Sequence, residues 1–233
     1  MNDFKKGLRD GLPICLGYIS VSFAFGLAAT AGGLSKLYTL LISMTNLTSA
    51  GQFAGIEIIK ENGGLFELAF ATLIINLRYL LMSLSLSQKV DPEISTPKRL
   101  LMSFGITDEV FAVSMQQRGM VGFKYFLGLM ALPFLGWSGG TFFGAFAGDI
   151  LPTGIRLALG MAIYAMFIAI IVPPAKKSKE ILYVILIAVL VSSFISLVPV
   201  LNVISAGWRI IISTLIAAGV GAILYPEKEE ADQ

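Results

Sequence analysis

The chain has 233 residues, 56% hydrophobic and only 14% charged, against about 25% charged in a typical soluble domain. Mean hydropathy is +0.81. A soluble fold of this size cannot bury that much apolar surface, so the chain reads as an integral membrane protein. The net charge of +2 leaves no basic face for nucleic acid, and the absence of histidine excludes His-ligated metals, His-based triads and His proton relays. The lone Cys15 can build neither an intrachain disulfide nor a thiolate zinc site. Gly32-Gly33-Leu34-Ser35-Lys36 lacks the Walker A spacing, so any ATP would be hydrolysed by another chain. Nothing in the residues calls for a cofactor.

Seven apolar segments follow in order: 11–31, 37–59, 65–87, 123–147, 155–172, 181–198 and 203–225. Their lengths suit helices crossing roughly 30 Å of hydrocarbon. They lack the alternation of a membrane barrel, and helices satisfy their own backbone groups in lipid. The expected fold is an all-α polytopic membrane protein with six or seven transmembrane helices. It forms a single membrane domain over 1–233: an N-terminal half 1–88, a polar connector 89–122, a C-terminal half 123–225 and a cytoplasmic tail 226–233.

Lys5, Lys6 and Arg9 precede the first segment, which ends in small residues around Ala28-Ala29-Thr30-Ala31. This imitates a signal peptide, but it reads as an uncleaved first span. The second segment has a polar middle, Thr45-Asn46-Leu47-Thr48-Ser49-Ala50-Gly51-Gln52. Such a run predicts a broken, re-entrant segment. The alternative is a full seventh helix whose polar residues face its neighbours. Letting this segment enter and leave by one face puts the N-terminus, the connector, Lys176-Lys177, Lys179 and Lys228 on one side. That arrangement satisfies the positive-inside rule better than seven crossings and makes both termini cytoplasmic.

The third segment contains Asn76 and Arg78. A charge at that depth costs about 2.5–3.5 kcal/mol on the gentler insertion scale, so Arg78 needs a partner or a water-filled cavity. Its fork of donors suits a substrate carboxylate or a proton-carrying acid, and a structural ion pair or snorkelling is the plainer reading. Asn76 points about 160° away around the helix and reads as a bond to a neighbouring helix or to substrate. At the break, Asn46, Ser49, Gly51 and Gln52 are substrate candidates. A half-helix starting near Gly51-Gln52 turns its free N–H groups and positive dipole end toward an anion.

In the connector, Leu100 to Met115 is apolar apart from Asp108 and Glu109, which predicts one interfacial or half-inserted helix. A carboxylate in a dry site has a raised pKa and carries a proton near neutral pH. Asp108 and Glu109 are therefore the candidates for proton or ion coupling, and a helix cap by Thr107 or Asp108 is compatible with that. Glu57, Glu61, Glu67 and Asp149 sit near segment ends and are assigned to the interface. In the fourth segment, Gly136, Gly140, Gly144 and Gly148 fall four apart, a face for close packing against another helix or another subunit. A weak repeat relates Pro13-x3-Gly17-Tyr18 and Phe25-Gly26 to Pro133-x2-Gly136-Trp137 and Phe143-Gly144.

These motifs resemble the AzlC, or YgaZ-type, family, the large subunit of bacterial branched-chain amino acid exporters. The resemblance rests on Pro13-x3-Gly17-Tyr18 with Phe25-Gly26, on Ala50-Gly51-Gln52-Phe53, on Asn76-Leu77-Arg78 and on Thr107-Asp108-Glu109, with the Trp137…Gly144 stretch in support. The resemblance implies a secondary active exporter of branched-chain or related small apolar amino acids in the bacterial inner membrane. It also implies a small membrane partner subunit of the AzlD type. Two departures stand out: Tyr79 follows Arg78 where the family often has His, and Thr48-Ser49-Ala50 replaces a more apolar run. A passive channel or facilitator, or a membrane scaffold for a partner subunit, are the competing classes. An enzyme ranks last, because no protease or metal motif is present.

Overall fold

The computed structural model describes residues 3–148, 150–152, 154, 168, 171–201 and 203–225. Most of the expected segment 155–172, together with Asp149 and the tail 226–233, lies outside the described residues. Among the described residues the secondary structure is helical, apart from an isolated bridge between Val90 and Val121. The α-helices are α1 (Asp3–Ala31), α2 (Lys36–Thr45), α3 (Ala50–Lys60), α4 (Leu65–Ser87), α5 (Thr96–Phe104), α6 (Asp108–Gln116), α7 (Phe123–Ala147), α8 (Lys179–Leu197) and α9 (Ala206–Leu224). Five of them, α1, α4, α7, α8 and α9, are long and apolar enough to cross a membrane. The helices group into two compact units, one of residues 1–56 and 75–163, the other of 57–74 and 164–233.

The first unit is organised around α1 and α7, which run parallel with their backbones in contact. Glycine makes this approach. A β-carbon at Gly136 would meet Cys15, one at Gly140 would meet Ile19 and Ser22, and one at Gly144 would meet Phe23. From the other side, Gly7, Gly11 and Gly26 face Tyr125, Leu129 and Thr141. Gly148 is looser, 3.6 Å from Leu27 and Thr30. Lipid gives no hydrophobic drive for helix association, so close backbone packing of this kind holds the pair. The two arms of the sequence repeat therefore lie side by side, and Tyr18 meets Trp137 edge-on with ring centroids 5.3 Å apart.

The second apolar segment is broken. Gly33, at φ +94°, lets the chain turn out of α1, and the Ser35 hydroxyl caps α2 by accepting from the Tyr38 N–H at 3.3 Å. Residues 46–49 then interrupt the helix, with Ser49 in the left-handed region at φ +47°. The two arms lie together: the Gln52 amide donates to Ser43 at 3.2 Å, and Ser43 shares a 2.7 Å hydrogen bond with Thr141. Leu34, Ile42, Phe53 and Ile56 pack on Phe25 and Ala29, and Lys36 sits over the Phe146 ring. Both arms thus pack, as far as Ile56, on the C-terminal half of α1.

The connector departs from the single helix expected over Leu100–Met115. It is a second helix–break–helix hairpin, α5 and α6 separated by Gly105–Thr107. Gly105 closes α5, and its α-carbon lies so close to the Met130 side chain that no β-carbon fits. The Thr107 hydroxyl opens α6 by accepting from the Val110 N–H at 3.3 Å. The periodicity of the apolar residues hid this break, because Leu100 to Phe104 and Val110 to Met115 each have a helical pattern of their own. The outer ends of this hairpin sit at the N-terminal end of α1: Lys6 donates to Gln117 at 2.6 Å, and Lys89 to the Met115 carbonyl at 2.5 Å.

In the second unit α8 and α9 are antiparallel, with Tyr183 stacked near Tyr225 and Arg209 donating to Ser196 at 2.9 Å. Glu67 does not face the interface as expected. It is 8% exposed and accepts from the Ser205 hydroxyl and, at 3.3 Å, from the Trp208 N–H. Glu61 accepts from the Ala206 N–H at 2.8 Å, so two carboxylates satisfy the first free donors of α9.

Candidate functional site

The two hairpins enter the first unit from opposite ends of α1, and their breaks meet near its middle. Leu47 from one break, Ile106 from the other and Tyr18 from α1 share one apolar cluster. Between the breaks is an open cavity of about 270 Å³. Asn46, Leu47 and Thr48 line it from the first hairpin, Ser103, Phe104 and Ile106 from the second, and Asn76 and Tyr79 from α4. Non-helical backbone is tolerated at membrane depth only where it is buried in protein or lines a water-filled cavity, and this arrangement meets that condition. The volume is slightly below the roughly 300 Å³ at which ligand pockets begin, so it suits a small molecule.

Arg78 stands beside this cavity. Its Nη1 pairs with Asp108 Oδ2 at 2.7 Å, and its Nη2 donates to the Tyr79 hydroxyl at 3.4 Å. The guanidinium carbon lies 5.0 Å from the Tyr79 ring centroid. Its Nε is buried and has no partner among the described residues. The pair remains reachable, since the side chains of Arg78 and Asp108 are 41% and 44% exposed. Asp108 lies in the first turn of α6, outside the five long helices. Burial pushes its carboxyl above the ordinary value; Arg78 pulls it down and neighbouring Glu109 pushes it up. Glu109 accepts from the Tyr18 hydroxyl at 2.5 Å. The tip of the second hairpin is thus fastened twice, to α4 through Asp108 and to α1 through Glu109.

The expected substrate residues divide between two places. Asn46 and Asn76 line the cavity. Gly51 is what lets Asn76 in, because a β-carbon there would lie 2.7 Å from Thr48 Oγ1 and 3.2 Å from the Asn76 amide. Thr48 Oγ1 and Asn76 Oδ1 are buried without partners among the described residues, so polar capacity is left unused at the cavity wall. Ser49 is the turning point of the break. Gln52 points instead into the buried Ser43–Thr141 contact. Asn76 and Arg78 occupy different sides of α4, one on the cavity and the other on Asp108. Gly136, Gly140, Gly144 and Gly148 are turned to α1 and lie apart from the cavity.

Sequence reasoning missed Tyr79 and Tyr18 as site residues. Tyr79 was visible only as a departure beside Arg78, and Tyr18 only as part of a repeat. It also missed Arg209, a second arginine inside an apolar segment, whose Nε is buried without a partner among the described residues.

The pattern described as AzlC protein matches residues 13–151, more than half of the sequence. The chain belongs to the AzlC family. This AzlC-family chain is 35% identical to an uncharacterized membrane protein of Archaeoglobus fulgidus, over 74% of the chain and 76% of that protein. It is 29% identical to the inner membrane protein YgaZ of Escherichia coli K12, over 76% and 75%. It is 23% identical to the branched-chain amino acid transport protein AzlC of Bacillus subtilis 168, over 76% and 70%. No solved structure matches the chain. The family match runs from residue 13 to 151, so it covers both hairpins, the cavity, α7 and α1 from Pro13 onward.

Proposed function

We propose that the chain is the large subunit of a secondary active exporter of branched-chain or related small apolar amino acids. It works with a small AzlD-type membrane subunit and is coupled to the proton gradient. The observation that carries this reading is the meeting of two broken helices, inserted from opposite ends, at one small cavity beside an arginine–carboxylate pair. Transporters place their substrate sites where discontinuous helices meet near mid-membrane. The cavity is divided in the way an apolar amino acid requires. Asn46, Thr48, Asn76 and Tyr79 supply polar contacts, while Leu47, Phe104 and Ile106 supply a wall for an aliphatic side chain. Arg78 is the carboxylate partner, and Asp108 faces the ammonium group. The name of the Bacillus subtilis relative supports the substrate class.

The test is uptake of labelled leucine and valine into inside-out vesicles under an imposed proton gradient, with and without the co-expressed small subunit. Gradient-dependent accumulation that requires the partner is the expected result. Equilibration without accumulation would instead make the protein a passive facilitator.

A further inference from the structure

We infer that the Arg78–Asp108 ion pair is an internal stand-in for substrate, which an amino acid zwitterion opens by placing its carboxylate on Arg78 and its ammonium on Asp108, so that substrate and proton compete for Asp108. This rests on the amino acid reading of the site and adds the mechanism of coupling and the direction of exchange.

The geometry supplies the argument. A salt bridge and a zwitterion are complementary: each charge of the pair has its opposite in the ligand. Inserting the ligand exchanges one ion pair for two, so no buried charge is left without a partner. The guanidinium has donor capacity to spare, since Nη1 is used by Asp108 while Nε is buried without a partner among the described residues. Tyr79 links the pair to the cavity, because it lines the wall and its hydroxyl accepts from Arg78. Both side chains of the pair can be reached from outside the protein.

Asp108 also sits on the part that can move. It belongs to the tip of the second hairpin, and its bond to Arg78 is one of two fastenings of that tip. The other joins Glu109 to Tyr18 and does not involve Arg78.

The proton balance follows. Asp108 as a carboxylate holds the ammonium. A proton arriving on Asp108 makes it a neutral acid, removes that hold and releases the amino acid, while the carboxylic acid keeps the proton. Binding of substrate to the protonated form expels one proton to solvent. The groups facing Asp108 are Arg78 and Tyr79 from α4 and Glu109 on its own helix, and Tyr18 from α1 faces Glu109. Of these, Arg78 is the one whose partner changes. Mutually exclusive binding of proton and substrate is the condition for exchange of one against the other, so inward proton flow drives export.

The experiment is binding of leucine to the full-length chain in nanodiscs, with the small subunit present, followed by titration of released protons in weak buffer. For the wild-type protein, proton release should accompany binding. Affinity should fall as the pH drops below the Asp108 pKa, by about tenfold in all. Asp108→Asn should bind leucine about tenfold more weakly at high pH, release no proton and show a flat pH profile. Two further ligands need no variant. 4-Methylpentanoate lacks the amine and 3-methylbutylamine lacks the carboxylate, and each should bind at least about tenfold more weakly than leucine. Leucine binding without proton release, a sloping pH profile in a folded Asp108→Asn protein, or either analogue binding as tightly as leucine overturns the exchange and leaves the transporter reading standing. Failure of the folded wild-type complex to bind any apolar amino acid overturns both.

Discussion

The α1–α7 pair and the two hairpins are built from the same kinds of residue and behave as opposites. Along α1 and α7, glycines remove side chains from the contact, backbone lies on backbone, and no room remains. At the hairpin breaks, Asn46, Thr48 and Asn76 line a cavity, and Thr48, Asn76 and neighbouring Arg78 keep buried polar atoms without partners among the described residues. The first region gains from every atom being in place. The second keeps unsatisfied groups that a ligand can satisfy, which a purely structural element would not retain. The difference teaches where to look for motion: against the closely packed pair, the hairpin tips keep polar groups free to take other partners.

Substitutions should separate the two regions. The largest effect is expected at Gly144→Ala, where the added methyl is driven into the Phe23 carbonyl. Overpacking of this kind costs about 3 kcal/mol. It should appear as lost monodisperse protein and a lower melting temperature, whereas Gly139→Ala, with open space around its β-carbon, should melt like the parent. If both alanine variants melt alike, the pair is not the rigid member of the comparison.

Arg78→Ala should leave folding nearly unchanged and reduce transport by about a hundredfold, since it removes charge-assisted bonds worth about 3 kcal/mol. Arg78→Lys, which keeps the charge and loses the fork, should retain more activity than the alanine variant, as initial uptake rates would show. Full transport by Arg78→Ala would move the site away from the hairpin tips.

A smaller effect is expected at Tyr79→Phe. The ring stays beneath the guanidinium and only the 3.4 Å hydroxyl contact is lost. KM for leucine should rise about threefold with little change in kcat. The least perturbing test is labelling. In a Cys15→Ser background, Lys36→Cys and Lys60→Cys should react with an impermeant maleimide added to the same face of sealed vesicles. Reaction from opposite faces would turn the first hairpin into a crossing helix.

Much of the fold was legible in the sequence. Segments 65–87 and 123–147 coincide with α4 and α7, because bilayer thickness fixes the length of an apolar run. The first break was legible too, since Asn46 to Ser49 is a polar run that no lipid-facing helix tolerates. The second break was legible only in part. Thr107 was a cap candidate in the sequence and does cap α6, but the end of α5 is made by Gly105 against Met130, inside an apolar stretch. Arg78 stood out by the cost of its charge, but its partner lies thirty residues away on the second hairpin. Periodicity and propensity act over a few turns and carry no information about such a contact. Glu67 failed for the same reason: its partners, Ser205 and Trp208, are remote in sequence, and only tertiary packing turns a residue at a segment end into a buried one.

The parallel pairing of α1 with α7 also sets an order of events during synthesis. Residues 3–31 are made first, and their partner face does not exist until residue 123 and beyond have left the ribosome. Until then Gly7, Gly11 and Gly26 line an unfilled groove in the first span, and both hairpins are made before the wall that receives Ser43 and Gly105 is present. The nascent chain therefore passes through a stage in which α1 has its least protected face turned to lipid or to another membrane chain, and the arrival of α7 ends that stage in a single packing step.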